Sequence, residues 1–188
     1  LSDISGNWAE EEITAMVEQE IIVGNDDGTF KPDGELNRAE AAGILYRVLG
    51  LGEPASPTEK PFTDIETGAW YTGYIKELKA LNLISGQSEG VFAPAASINR
   101  AEFLSLAMNV YHYLKGTTTP EDQEVTTAFS DLDATAWYAK TVSEAYGLGF
   151  VSGSACGTST CYRPGDTITR AEATKILYNM FYTILTEE

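Results

Sequence analysis

Histidine is nearly missing from this chain, which has one, His112, in 188 residues. Cysteine is almost as scarce, with only Cys156 and Cys161. A zinc centre built from His and Cys ligands has too few candidates here. No run of eighteen apolar residues occurs, which excludes a membrane-spanning helix. Cations are few as well: 12 Lys and Arg stand against 28 Asp and Glu, a formal net charge of −16. Nucleic acid as a partner needs a basic face, and so does adsorption to anionic lipid, so the composition argues against both. The charge reads as that of a soluble surface protein, with halophilic adaptation the weaker alternative. No motif calls for a cofactor. The chain starts at Leu1 within a repeat-like segment and shows no leader, which reads as a piece of a longer protein.

What the sequence does contain is repetition. Three tryptophans, Trp8, Trp70 and Trp137, are each preceded by an aspartate, Asp3, Asp64 or Asp131, in the phrases LSDI, FTDI and FSDL. A glycine follows each Trp at one constant distance, at Gly24, Gly86 and Gly153. An aromatic comes next (Phe30, Phe92, Tyr162), then a proline (Pro32, Pro94, Pro164), then an arginine six residues on: Arg38, Arg100 and Arg170. The copies are read as 1–51, 61–115 and 127–188, joined by polar linkers at 51–60 and 115–126. The third copy carries three extra residues between Gly153 and Tyr162, in SACGTSTCY. Cys156 and Cys161 there are expected to form a disulfide closing a surface loop in an oxidising, extracytoplasmic place. Half a zinc site and two buried free thiols are the alternatives.

Each copy predicts two helices. The first follows the Trp, with apolar pairs Ile13 and Met16, Ile75 and Leu78, and Val142 and Ala145. The second opens at the Arg, with apolar positions Ala41, Ile44, Leu45 and Val48. Its counterparts are Phe103, Leu106, Ala107 and Val110, then Ala173, Ile176, Leu177 and Met180. Each helix owns one apolar stripe and must bury it. Three equivalent helices facing one another with pseudo-threefold symmetry would do so, and a linear solenoid is the alternative. Asp27-Gly28 suits a tight turn with positive φ at Gly28. A calcium loop there fails, because no bidentate Glu sits at the twelfth position. His112 reads as a helix-surface residue, and Tyr71, Tyr74, Tyr111 and Tyr113 read as packing.

The helix starts raise the functional question. Asn37, Asn99 and Thr169 are good N-caps, and Glu40, Glu102 and Glu172 complete capping boxes. The intervening Arg opposes the helix dipole and needs another reason. It would either pair with the aspartate that opens a copy, or bind an anion beside free helix N–H groups. Each Trp is either a core anchor or a face for stacking on sugar. Gly24, Gly86 and Gly153 read as C′ residues ending the first helices, with close ligand approach as a second role.

The ordered signature FTDI…W…G…F-x-P…INRAE, with LNRAE and ITRAE in the other copies, resembles the S-layer homology repeat over nearly the whole chain. The resemblance implies an all-α fold of three helix-loop-helix repeats around a central three-helix bundle with outward prongs. It implies non-catalytic anchoring of a bacterial surface protein at the cell wall. The ligand would be a secondary cell wall polysaccharide bearing pyruvylated N-acetylmannosamine, with other surface-layer subunits as possible partners through the rest of the protein. Arg38, Arg100 and Arg170 would read the ketal carboxylate. Trp8, Trp70 and Trp137 would line the grooves, Gly24, Gly86 and Gly153 would form their floors, and Asp3, Asp64 and Asp131 would orient the arginines. Ala9 replaces the Tyr that follows the other two tryptophans, which implies a wider or weaker groove. The cysteine-bearing insertion departs from the pattern and would partly cover one groove. Two alternatives stand beside this reading: a glycosidase using paired carboxylates, and a self-assembly module whose arginines bridge acidic neighbours.

Overall fold

The computed structural model describes residues 1–54 and 59–186. Part of the first linker, residues 55–58, lies outside the described residues, as do 187 and 188 of the third copy. Among the described residues six helices form: α1 (Glu10–Glu18), α2 (Arg38–Val48), α3 (Thr72–Ala80), α4 (Arg100–Lys115), α5 (Ala139–Gly147) and α6 (Arg170–Thr186). The odd-numbered helices are the short ones that follow the tryptophans, and the even-numbered ones begin at the arginines. All the apolar positions expected from periodicity are buried, in one core cluster that draws on every copy.

The capping boxes form as expected. Asn37 and Asn99 each accept the N–H of the Glu three residues on, while that Glu accepts the N–H of the cap. Thr169 and Glu172 make the same reciprocal pair at α6. These are local bonds between a side chain and backbone one turn away, which is why they are visible in sequence. The first helices end differently from expectation. Their left-handed C′ residues are Glu20, Asn82 and Gly149, with φ of 58°, 58° and 77°. Gly24, Gly86 and Gly153 lie four residues further on, so the C′ reading is corrected.

The copies are tied together by backbone. The Leu36 N–H donates to the Ile168 carbonyl, Ile168 to Ile98, and Ile98 to Leu36, each at 3.1 Å, closing a ring. Next to the ring, the N–H groups of Arg38 and Ala39 donate to the carbonyls of Ala96 and Pro94. Arg100 and Ala101 donate to Asp166 and Pro164, and Arg170 and Ala171 to Gly34 and Pro32. Each copy thus satisfies the first helical amides of another, in cyclic order. The helices follow the same order: α3 packs on α2, α5 on α4, and α1 returns to α6. We propose that a pseudo-threefold axis passes through this ring. The closure excludes an open solenoid, in which the first and last copies would not meet.

The expected disulfide forms, whereas His112 departs from the sequence reading. The insertion in the third copy folds as a hairpin of β1 (Ser154–Cys156) and β2 (Ser159–Cys161), with the two cysteines joined as a disulfide. His112 is half-buried rather than free on the surface. Its ring bonds the Thr117 and Thr119 hydroxyls and the Glu144 carboxylate, tying the second linker to α5.

Because the first copy closes on the third, removing one copy opens two interfaces at once. A fragment of residues 1–126 is expected to lose the cooperative urea transition of the full chain. Far-UV circular dichroism against urea checks this.

Candidate functional site

The arginines do not meet free helix amides. The N–H of each Arg and of the following Ala is already taken by a carbonyl of another copy, and the N–H of the capping-box Glu by the N-cap side chain. The helix N-terminus is therefore not itself the anion site. The expectation of free N–H groups is corrected, and the guanidinium is what remains to receive an anion.

Each guanidinium is held by a neighbouring copy. Arg38 Nε donates to the Phe92 carbonyl at 2.7 Å and Nη2 to Ser85 at 3.0 Å. Arg170 repeats this on Phe30 and Val23, at 2.7 and 2.9 Å. The guanidinium carbon lies 4.7 Å from the Phe92 ring centroid for Arg38 and 4.5 Å from that of Phe30 for Arg170. Such cation–π contacts retain the cation without neutralising it. Among the described residues nothing bonds Nη1 of either arginine. Burial pushes the Arg38 guanidinium below its usual value, with Glu102 and Asp64 opposing the shift. Arg170 responds in the same way, with Glu40 and Asp3 opposing. Both stay charged at neutral pH, and a partly desolvated cation favours an anionic partner.

The aspartates act one step back. No ion pair joins them to the arginines among the described residues, which corrects the expectation of direct pairing. Instead Asp3 accepts the N–H groups of Phe30 and Lys31, Asp64 those of Phe92 and Ala93, and Asp131 those of Tyr162 and Arg163. Lys31, Ala93 and Arg163 sit at φ near 59°, 58° and 59°. That left-handed conformation costs a non-glycine residue about 1–2 kcal/mol. The carboxylate holds the strained turn, and the turn aims the aromatic carbonyl at Nε of the arginine. The ring and carbonyl of Phe30, Phe92 and Tyr162, which hold the arginines of the candidate site, are features that sequence reasoning missed. Their signal was the constant aromatic-x-Pro spacing ahead of each Arg.

Three grooves result. One is lined by Arg38, Gly86 and Trp137, with Glu102. A second is lined by Arg100, Gly153 and Trp8, with Glu172. The third is lined by Arg170, Gly24 and Trp70, with Glu40. Each groove takes its Arg, Gly and Trp from three different copies. The tryptophans are 60%, 59% and 65% exposed in chain order, which decides against the core-anchor alternative. Gly86 and Gly153 are required by close approach to backbone, while a Cβ at Gly24 would meet the flexible Leu1 side chain and lie 3.1 Å from the Thr29 carbonyl oxygen. A Cβ at Gly86 would lie 2.4 Å from the Val91 carbonyl oxygen, and one at Gly153 2.8 Å from that of Cys161.

The grooves are not equivalent. The Arg100 groove encloses about 510 Å³ and the Arg38 groove about 450 Å³. Tyr71 and Tyr138 each meet their Trp edge-on, at 5.4 and 5.3 Å, whereas beside Trp8 the tyrosine's place is taken by the buried Ala9. Ser154, at the start of the hairpin, stands at the edge of the Arg100 groove. There Arg100 Nη1 forms an ion pair with Glu172 at 2.6 Å, while Nε keeps its bond to the Tyr162 carbonyl.

A buried arginine, Arg38, and two half-buried ones, Arg100 and Arg170, each share a groove with an exposed tryptophan of another copy. The chain belongs to the S-layer homology domain family, whose pattern matches residues 1–42, 61–104 and 128–174. That domain is a non-catalytic anchoring module. An S-layer protein of Bacillus thuringiensis subsp. finitimus is 32% identical over 172 residues, 91% of this chain and 20% of its own length. An exoglucanase of Acetivibrio thermocellus is 31% identical over 95% of this chain and 16% of its own length. An amylopullulanase of Thermoanaerobacterium thermosulfurigenes is 30% identical over 95% of this chain and 9% of its own length. The chain thus spans a fifth or less of these relatives, which carry different activities beyond the shared module.

The Asp64 carboxyl is held below its usual pKa: burial opposes this, but the Phe92 and Ala93 amides and Arg38 outweigh it. A depressed carboxyl stabilises the fold above its unfolded pKa and loses that contribution as pH falls through the folded value. Asp64→Asn is therefore expected to lower the urea midpoint at pH 7. The gap to wild type should close below about pH 4, the usual Asp range. Urea melts across pH check both parts.

Proposed function

We propose that this chain anchors a bacterial surface protein to the cell wall by binding an acidic wall polysaccharide in its grooves. The three copies, 1–51, 61–115 and 127–188, work as one unit. The place of action is outside the cell, at the wall. One observation carries the reading: the guanidiniums of Arg38 and Arg170 are fixed by neighbouring carbonyls and rings, yet keep an unbonded Nη1 beside an exposed Trp. A sugar ring stacks on the indole, and a carboxylate on that sugar meets the guanidinium.

The finer proposal is that the carboxylate belongs to a pyruvate ketal on N-acetylmannosamine. A ketal carboxylate is fixed to the sugar ring, so stacking and ion pairing are presented as one rigid unit with little ordering cost. Arg38, Arg100 and Arg170 are proposed to receive it, and Trp8, Trp70 and Trp137 to stack. Gly24, Gly86 and Gly153 let the loop backbone pack closely at the floor. Asp3, Asp64 and Asp131 set the turns that present the arginines. No step of chemistry is required of any of them.

Calorimetric titration with the pyruvylated glycan and its unmodified twin tests this. Binding is expected to require the ketal. Arg38→Ala and Arg170→Ala are each expected to weaken their own groove about 10- to 100-fold, the usual scale for a charge-assisted pair. Equal binding of the two glycans would refute the carboxylate contact. Chains that self-associate through these arginines without any glycan would favour a self-assembly module instead.

A further inference from the structure

Three cations line the Arg100 groove: Arg100, Arg163 and Lys175. Two of them are already matched by carboxylates of the protein. Arg100 pairs with Glu172, and Lys175 of α6 with Glu12 of α1. Arg163 differs. Its Nη2 donates to the Ala155 carbonyl at 3.0 Å, and among the described residues no carboxylate pairs with it. Asp166 lines the same cavity but forms no ion pair with Arg163. A carbonyl fixes a guanidinium and leaves its charge whole, whereas a carboxylate cancels it. Carbonyls hold Arg38 and Arg170 in their own grooves. In the Arg100 groove, the cation bonded by a carbonyl and by no carboxylate is Arg163.

The turn and the insertion place Arg163 there. It follows Tyr162, whose carbonyl accepts Arg100 Nε at 2.9 Å, so the two arginines meet at one peptide unit. Its backbone takes the left-handed conformation, φ 59°, and Asp131 accepts its N–H. Ala155 lies in β1 of the inserted hairpin, next to Cys156, which is bonded to Cys161. The insertion thus supplies the carbonyl that aims Arg163. The matching residues of the other copies are not used in this way. Lys31 pairs with Asp27 at 3.8 Å and does not line the Arg170 cavity. Ala93 has no charge and does not line the Arg38 cavity.

We infer that Arg163 is a second carboxylate-binding residue of the Arg100 groove, presented there by the disulfide-closed hairpin. This deepens the glycan reading above and rests on it. The charge of Glu172 opposes an acid arriving at Arg100, and the unmatched charge of Arg163 offsets it. A ketal carboxylate has two oxygens, one for each guanidinium. The Arg38 and Arg170 grooves take the acid on the motif arginine without a charge from the turn.

Each groove has its own tryptophan, so indole N–H signals in nitrogen-15 spectra read the grooves separately. The titrant is a pyruvylated N-acetylmannosamine saccharide. Arg163→Ala installs the residue that the second copy carries in the same left-handed turn, at Ala93. The affinity read at Trp8 is expected to fall about tenfold, the scale of one charge-assisted pair, with Trp70 and Trp137 unchanged. Arg163→Gln keeps a donor for the Ala155 carbonyl but no charge, and should lose as much. Arg163→Lys keeps the charge and should stay within about threefold of wild type. A Gln variant that binds like wild type would make Arg163 a brace for the hairpin and overturn the inference. So would an unchanged Trp8 affinity in Arg163→Ala, a loss shared by all three signals, or a Trp8 signal that stays still while Trp70 or Trp137 moves. In each of these cases the glycan reading stands. If no indole signal moves with the saccharide, both fall together.

Discussion

The ring of backbone hydrogen bonds between Leu36, Ile98 and Ile168 is the constraint on which the rest depends. A helix start leaves amides without partners, and these must be satisfied if the end is buried. Here each copy supplies carbonyls to another copy's helix. That decision sets everything downstream. It brings the loop of one copy against the helix start of another, so an arginine at the first helical position lands on a foreign loop. It also leaves the tryptophan of the remaining copy facing the same groove. A groove made from three copies follows from the closure and would not exist in any copy alone.

The arginine at an unfavourable helix position is explained by this geometry. Its own helix gives it little. An aromatic carbonyl, an aromatic face and, in two grooves, a second loop carbonyl hold it. The aspartate that opens each copy keeps that loop in a strained left-handed turn, so its role is mechanical before it is electrostatic. The third arginine shows how little needs to change for the grooves to diverge. Beside the inserted hairpin, Arg100 exchanges a loop carbonyl for Glu172. A ligand carboxylate entering there competes with a carboxylate already in place.

Much of the fold was legible because its signals are local or periodic. The apolar positions of all six helices, the reciprocal caps at Asn37, Asn99 and Thr169, and the turn at Gly28 follow from neighbours within a turn or two. The paired cysteines were legible from their spacing. The site was legible as a set of residue types, but its wiring was not. Gly24, Gly86 and Gly153 look like helix stops in sequence, yet at Gly86 and Gly153 carbonyls across their own loops exclude a side chain. The amides of Arg38, Arg100 and Arg170 look free until a distant carbonyl arrives. Trp exposure could not be read either, since an indole suits a core and a sugar equally.

Protein and proposed ligand are both acidic, so long-range attraction does not bring them together. Screening confines repulsion to about 8 Å at physiological salt, which leaves short-range contacts to decide. The central claim is that each groove is a composite of three copies in which a fixed guanidinium, not a helix terminus, receives the acid. The most direct test is a crystal structure of the chain with a pyruvylated N-acetylmannosamine saccharide. The account predicts the ketal carboxylate on the open edge of Arg38 or Arg170, with the sugar against Trp137 or Trp70. A saccharide bound away from these arginines, or a carboxylate seated on helix amides that had left their neighbouring carbonyls, would contradict it.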